Sequence, residues 1–117
     1  MNKVEIKTKW LEELRSGNHE QVPGTLKGKM PDGNVGFCCL GVLEEKVLGG
    51  DLDAVPLIRD EDGTCYGFEG PDEVYKKIKE EIVEDKFLVN QLTDKNDNGW
   101  TFPEIADYIE REWNPAS

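Results

Sequence analysis

Apolar residues recur along this chain with two different spacings, and the change from one to the other outlines its elements. Between 4 and 16, Ile6, Trp10, Leu11 and Leu14 fall on one stripe of an amphipathic helix that Gly17-Asn18 stops. The next stretch, 18–36, is too dense in breakers for helix: Pro23, Gly24, Gly28, the run Pro31-Asp32-Gly33-Asn34, and Gly36. That run predicts a hairpin turn between short strands near 25–30 and 35–38. Leu40, Val42, Leu43 and Val47 predict a second helix over 39–48, closed by Gly49-Gly50 and expected to be the most buried element.

Further on, the apolar run 55–58 and the segment 64–68 flank Asp60-Glu61-Asp62-Gly63 and predict a second hairpin. Pro71 opens a helix over 72–84 carrying Val74, Tyr75, Ile78 and Ile82, since proline is pre-organised for a first helical turn. A shorter helical piece spans 87–93. Thr101 and Glu104 have the spacing of a capping box, in which each side chain accepts the other's backbone amide. The closing helix therefore runs over 102–113 with Phe102, Ile105, Ala106 and Ile109 inward. The expected fold is α+β, with about four helices packed on a small antiparallel sheet formed from two hairpins.

A chain of 117 residues encloses one core, so a single domain over 1–117 is expected. Charge narrows the function classes. With 25 acidic against 14 basic side chains the net charge is −11, a field that repels nucleic acid and anionic membranes. The excess is concentrated in 59–117, which carries −9 against −2 for 1–58. No apolar run reaches the roughly 18 residues of a membrane span, and Met1-Asn2-Lys3-Val4-Glu5 turns charged at once, unlike a signal core. The expectation is a cytoplasmic protein without direct nucleic-acid or membrane contact; homo-oligomers are compatible with this composition. Cys38, Cys39 and Cys65 make an odd count without metal-ligand spacing, so reduced thiols are expected, with no metal and no cofactor.

Candidate chemistry is sparse. Asp94-Lys95-Asn96-Asp97-Asn98-Gly99 matches the opening of a calcium loop, but the position that should hold a bidentate glutamate is Ile105. The plainer reading is an Asx-rich turn capping the last helix, and no specific calcium binding is expected. Cys38 and Cys39 stand at a helix start, where the dipole favours a thiolate, and His19 is the sole histidine that could activate one. Flanked by Phe37 and Leu40, they read more simply as small buried hydrophobes. Pairs such as Glu80-Glu81 and Glu84-Asp85 read as a solvated face rather than as acid and base. Gly24, Thr25, Lys27, Gly28 and Lys29, with Arg15 before them, concentrate backbone amides and positive charge, so an anionic small ligand is expected there. Trp100 is a candidate stacking partner for it. The ending of a P-loop is missing, so nucleoside-triphosphate hydrolysis is unsupported, and a lysine-protected hairpin edge is the structural alternative.

Three segments read together: Lys9-Trp10-Leu11-Glu12-Glu13-Leu14-Arg15-Ser16-Gly17, Gly36-Phe37-Cys38-Cys39-Leu40-Gly41-Val42-Leu43, and Leu92-Thr93-Asp94 through Trp100-Thr101-Phe102-Pro103-Glu104-Ile105-Ala106-Asp107-Tyr108-Ile109-Glu110. In this order the chain resembles a family of small uncharacterised proteins of tailed bacteriophages and prophages. The family's Gly-basic-Gly-small-Leu-basic stretch is matched in part by Pro23-Gly24-Thr25-Leu26-Lys27, with Pro23 in place of the basic residue. The resemblance implies viral origin and an accessory role in the cytoplasm of an infected bacterium, and it brings no catalytic residues with it.

The expected function is thus a non-enzymatic phage accessory protein that neutralises a host factor, as an antagonist of host defence that sequesters a nucleotide-like immune signal. One alternative is an acidic polyanion mimic that blocks a host nucleic-acid-binding protein. Another is a small enzyme using the Cys38 or Cys39 thiol.

Overall fold

The Asn2 side chain opens the first helix by accepting the Glu5 amide at 2.9 Å, and α1 runs over Lys3–Arg15. The computed structural model describes residues 2–59, 61, 65, 66 and 72–115. The buried face of α1 is Ile6, Trp10, Leu11 and Leu14, the stripe that the sequence predicts. Four short strands follow: β1 (Glu20–Gln21), β2 (Lys27–Lys29), β3 (Val35–Phe37) and, after an intervening helix, β4 (Val55–Pro56). They form one sheet in the order β1-β3-β2-β4.

The first predicted hairpin is present. β2 and β3 pair antiparallel with Gly28 opposite Gly36. Their turn closes through the Met30 amide on the Asn34 carbonyl at 2.7 Å, with Gly33 at φ +95°. The wholly antiparallel sheet is not: β1 lies parallel to β3, and β4 parallel to β2, so the sheet is mixed. The two glycines explain both additions. A Cβ on Gly36 would stand 2.6 Å from Val22 Cγ1, and one on Gly28 would stand 2.9 Å from Leu57 Cδ1. These gaps let Val22 and Leu57 press onto the hairpin. Their amides then donate to Phe37 and Lys29 carbonyls, both at 2.9 Å.

The second hairpin forms a separate antiparallel ribbon of β5 (Ile58–Arg59) and β6 (Cys65–Tyr66). Of its predicted turn, Asp60, Asp62 and Gly63 lie outside the described residues. The apolar run 55–58 is thus divided, its first part going to the main sheet.

Helix α2 (Cys39–Val42) continues into a π-helical turn, Leu43–Val47, and residues 39–44 are all buried, as expected of the most buried element. Besides burying Leu40, Val42 and Leu43 in the core, it packs directly on backbone. The Cys38 amide donates to the Leu26 carbonyl at 3.1 Å, and a Cβ on Gly41 would fall 1.8 Å from that same oxygen. Trp10 Nε1 donates to the Cys39 carbonyl at 2.9 Å, tying α1 to the start of α2.

Helix α3 (Asp72–Lys77) also ends in a π turn, Ile78–Ile82. Lys77 Nζ lies 2.6 Å from the carboxylate of buried Glu44, joining α3 to the π turn of α2. Glu84, at φ +58°, reverses the chain, and Asp85 caps α4 (Lys86–Asp97) by accepting the Leu88 amide at 3.0 Å. α4 extends well past the predicted piece at 87–93. α5 (Phe102–Glu112) begins with the predicted capping box and buries Phe102, Ile105, Ala106 and Ile109. All helices contribute to one contiguous core. Among the described residues, no helix is long and apolar enough to cross a membrane.

Gly41→Ala should be among the most damaging single-atom additions to this fold. The clash is with backbone, so relief requires moving α2 or the strand, at a cost of about 3 kcal/mol or more. Urea denaturation should show that loss, whereas Ala at exposed Gly17, which has open space but φ +75°, should cost about 1 kcal/mol.

Candidate functional site

The groups expected to cradle an anion already hold carboxylates. Arg15, at the end of α1, donates to Asp107 at 2.8 Å and to Glu110, both on α5. The Glu110 contact, then that with Asp107, holds the guanidinium pKa above its ordinary value. The Gly24 amide donates to Asp97 Oδ1 at 2.8 Å, at a turn where Gly24 has φ +76°. Lys27, one of the residues expected at the anion site, does not project into solvent. Its side chain is only 19% exposed, donating to Glu45 Oε1 at 2.7 Å and to the Leu52 carbonyl at 2.9 Å. Burial alone would push the Glu45 carboxyl pKa up, but the Lys27 hydrogen bond and charge outweigh it, and the net shift is downward.

Gly28 is buried beneath Leu57, and Thr25 is buried with its hydroxyl unpartnered among the described residues. Lys29 is exposed. No hydrogen bond or ion pair joins Arg15, Lys27 and Lys29 to one another.

The thiols lie equally far from solvent. Cys38 is the N-cap of α2, its Sγ accepting the Gly41 amide at 3.4 Å. Cys39 donates to the Leu92 carbonyl at 3.8 Å. Burial pushes Cys38 up to about 11, against the opposing Gly41 and Leu40 amides, and pushes Cys39 well above its ordinary value. His19, the candidate activator, instead places Nε2 2.7 Å from Glu13 Oε2 and its ring edge-on to Phe37.

The segment that resembles a calcium loop is mostly helix, because 94–97 complete α4. Asn96 is buried there. Its Nδ2 donates to the Val22 carbonyl at 2.9 Å and its Oδ1 accepts Gln21 Nε2 at 2.8 Å. Gln21 Nε2 also donates to the Trp100 carbonyl at 2.6 Å, and Gly99, at φ +91°, turns the chain into that residue.

These bonds assemble the most chemically distinctive place among the described residues. Val22, Pro23, Asn96, Asp97 and Trp100 line a cleft of about 270 Å³. Trp100 remains 37% exposed and meets Tyr108 of α5 edge to face, with ring centroids 6.2 Å apart. Lys95 Nζ sits 4.2 Å from the Trp100 centroid and 4.5 Å from that of Tyr108. Trp100 was singled out from the sequence; Lys95 and Tyr108 were not. The capping box was the available signal. By fixing where α5 starts, it places Trp100 just outside the helix and Tyr108 two turns in.

Fold and site together define a small α+β protein whose distinctive surface is an aromatic corner set among carboxylates. Residues 1–66 match the family model described as Domain of unknown function (DUF8296), and the chain belongs to that family. No curated protein and no solved structure matches the chain.

Two buried polar groups should respond to substitution with opposite signs. Asn96→Ala orphans the Val22 carbonyl and should lower stability by about 1–3 kcal/mol, whereas Thr25→Val removes an unpartnered hydroxyl and should leave stability unchanged or raise it by about 1 kcal/mol. Thermal melts of the two variants check this.

The thiols carry a pH dependence. Because their folded pKa is raised, the native state holds their protons more tightly than the unfolded chain. Their contribution is complete below the unfolded value, near 9, and for Cys38 is lost as pH rises toward about 11. The urea midpoint should fall over that interval, and less steeply in Cys38→Ala. In the folded protein at neutral pH, iodoacetamide should leave both thiols unlabelled.

Proposed function

We propose that this chain is a non-enzymatic phage accessory protein that neutralises a host factor, and that it does so as an acidic surface presented to a basic, nucleic-acid-binding host protein. One observation carries the choice of mechanism: the cations best placed to cradle an anion are held by the chain's own carboxylates. Arg15 on Asp107 and Glu110, Lys27 on Glu45 and Lys77 on Glu44 are held by its own carboxylates. Exposed Glu12, Glu20, Asp51, Asp53, Glu81 and Asp94 have no cation partner among the described residues. The net charge of −11 is thus displayed outward, which steers a basic partner into encounter and makes that encounter sensitive to salt.

Sequestering a nucleotide-like signal at Gly24–Lys29 is the weaker reading, because Arg15, Lys27 and the Gly24 amide would each have to release a carboxylate first. A thiol enzyme is weaker still, since burial holds Cys38 and Cys39 protonated. The phage setting rests on the resemblance of the Trp10, Cys38-Cys39 and Phe102–Glu110 segments.

Native mass spectrometry of the tagged chain, captured from infected bacteria that carry a defence system, tests the proposal. The expected result is a host protein that heparin displaces and that dissociates as salt is raised. Capture of a nucleotide instead, or a complex indifferent to both heparin and salt, would overturn it.

A further inference from the structure

Among the described residues, Lys95 has no carboxylate within ion-pair distance although the chain is strongly acidic; its ammonium lies against two ring faces instead. The Tyr108 ring and the Trp100 backbone are both held by hydrogen bonds. Tyr108 donates its hydroxyl to Gln91 Oε1 at 2.7 Å. The Trp100 backbone is fixed from both sides, its amide donating to the Lys95 carbonyl at 3.0 Å and its carbonyl accepting Gln21 Nε2. The ring planes stand at 80°, so together they form two walls of a box open to solvent on the Trp100 side, where that ring is 37% exposed. Arg111 comes to 5.4 Å from Tyr108, a second cation on the same ring.

We propose that Trp100 and Tyr108 form a receptor for an arginine or lysine side chain of a basic partner protein, and that Lys95 is a resident occupant which the partner displaces. This rests on the acidic-surface reading and gives it an address. The occupant follows from charge complementarity. Ring faces attract cations, and exposed Asp94, beside Lys95 on α4, and Glu104, one turn before Tyr108 on α5, have no cation partner among the described residues. Hydrogen bonds from the Thr101 amide and then from its hydroxyl keep the Glu104 carboxyl below its ordinary pKa, which favours its charged form. Lys95 is a suitable placeholder because it covers the rings with a flexible chain and holds no ion pair that its departure would break. An aromatic pair already oriented costs a partner little ordering, which is the usual property of a dominant interface contact.

The experiment titrates the ¹⁵N-labelled chain with a short poly-arginine peptide at low salt, following the backbone amide resonances of 95–108 in every variant and, where Trp100 is present, its indole resonance as well. The wild type should show a saturable shift. Lys95→Ala, which empties the box, should tighten binding by about threefold to tenfold, and Trp100→Leu should weaken it by about tenfold. Unchanged or weaker binding in Lys95→Ala would overturn the receptor and leave Lys95 as a cover for two exposed rings. Salt-dependent binding indifferent to Trp100→Leu would overturn the receptor while leaving the acidic-surface reading intact. No peptide binding by the wild type would overturn both. A parallel titration with tetramethylammonium separates sources: if it shifts the indole and the peptide does not, the box takes a small quaternary ligand and the proposed protein partner is overturned.

Discussion

The approach of Gly41 to the Leu26 carbonyl is the constraint on which the rest of the structure depends. It lets the backbone of α2 lie directly on the chain entering β2, with the Cys38 amide closing a hydrogen bond to the same oxygen. Any side chain at 41 would hold the two apart by at least the thickness of a methyl group. The interior built around that contact has little tolerance, because close-packed cores lose dispersion contacts steeply as gaps open. The α2 backbone is then the surface to which other elements attach. The Trp10 indole reaches the Cys39 carbonyl from α1, and the Cys39 thiol reaches the Leu92 carbonyl on α4. The Phe-Cys-Cys-Leu-Gly-Val-Leu block is therefore explained by packing alone: cysteines where a small apolar side chain with a weak donor or acceptor fits, and glycine where nothing fits.

Charge follows the same economy of space. Glu44 and Glu45 sit in the π turn of α2, one buried and one half-buried, and each takes a lysine from elsewhere in the chain. A π turn widens the helix and shifts the residues after it around the axis. Here it allows adjacent glutamates to reach Lys77 of α3 and Lys27 of β2. Buried pairs of this kind add little net stability over an apolar substitute, since desolvation offsets most of the attraction. Each lysine is drawn in together with a glutamate, so the pairs leave the net charge of −11 unchanged while taking these two cations away from any outside anion.

How much of this was legible depended on the range of the interaction. The stripes of α1 and α5 and the Pro31–Asn34 turn are local patterns, and they appear where the sequence places them. β1 was not legible, since two residues such as Glu20-Gln21 have no alternation, and of β4 the strand was legible in the apolar run 55–58 but its parallel pairing with β2 was not; both pair because Gly36 and Gly28 admit Val22 and Leu57. The extension of α4 through Asn96 runs against the weak helix propensity of Asp and Asn, and buried hydrogen bonds to Gln21 and Val22 outweigh it. Lys27 looked exposed because a lysine between glycines in a short strand reads as an edge, and its partner lies 18 residues on. Of the candidate site residues, Trp100 is an exposed aromatic. The carboxylates on Arg15, the Gly24 amide and Lys27 were not legible, because the sequence shows where cations are but not which carboxylates reach them.

The family match ends near β6, yet the matched half cannot satisfy its own groups. The Val22 carbonyl and the Gly24 amide are met by Asn96 and Asp97 of α4, and the Cys39 thiol by Leu92. The buried stripe of α1 is closed by α5 and by Trp113, whose ring stands edge-on to Trp10 at 5.8 Å. An unmet backbone group in a dry interior costs about 1–3 kcal/mol, and several together rival the whole stability of a small domain. Residues 1–66 therefore describe a family pattern and not a folding unit. The aromatic corner stands where the second half locks onto the first, since the Gln21 amide that bonds Asn96 also bonds the Trp100 carbonyl. The position of Trp100 is thus set by the same contacts that complete the fold, which is what a preformed recognition surface requires.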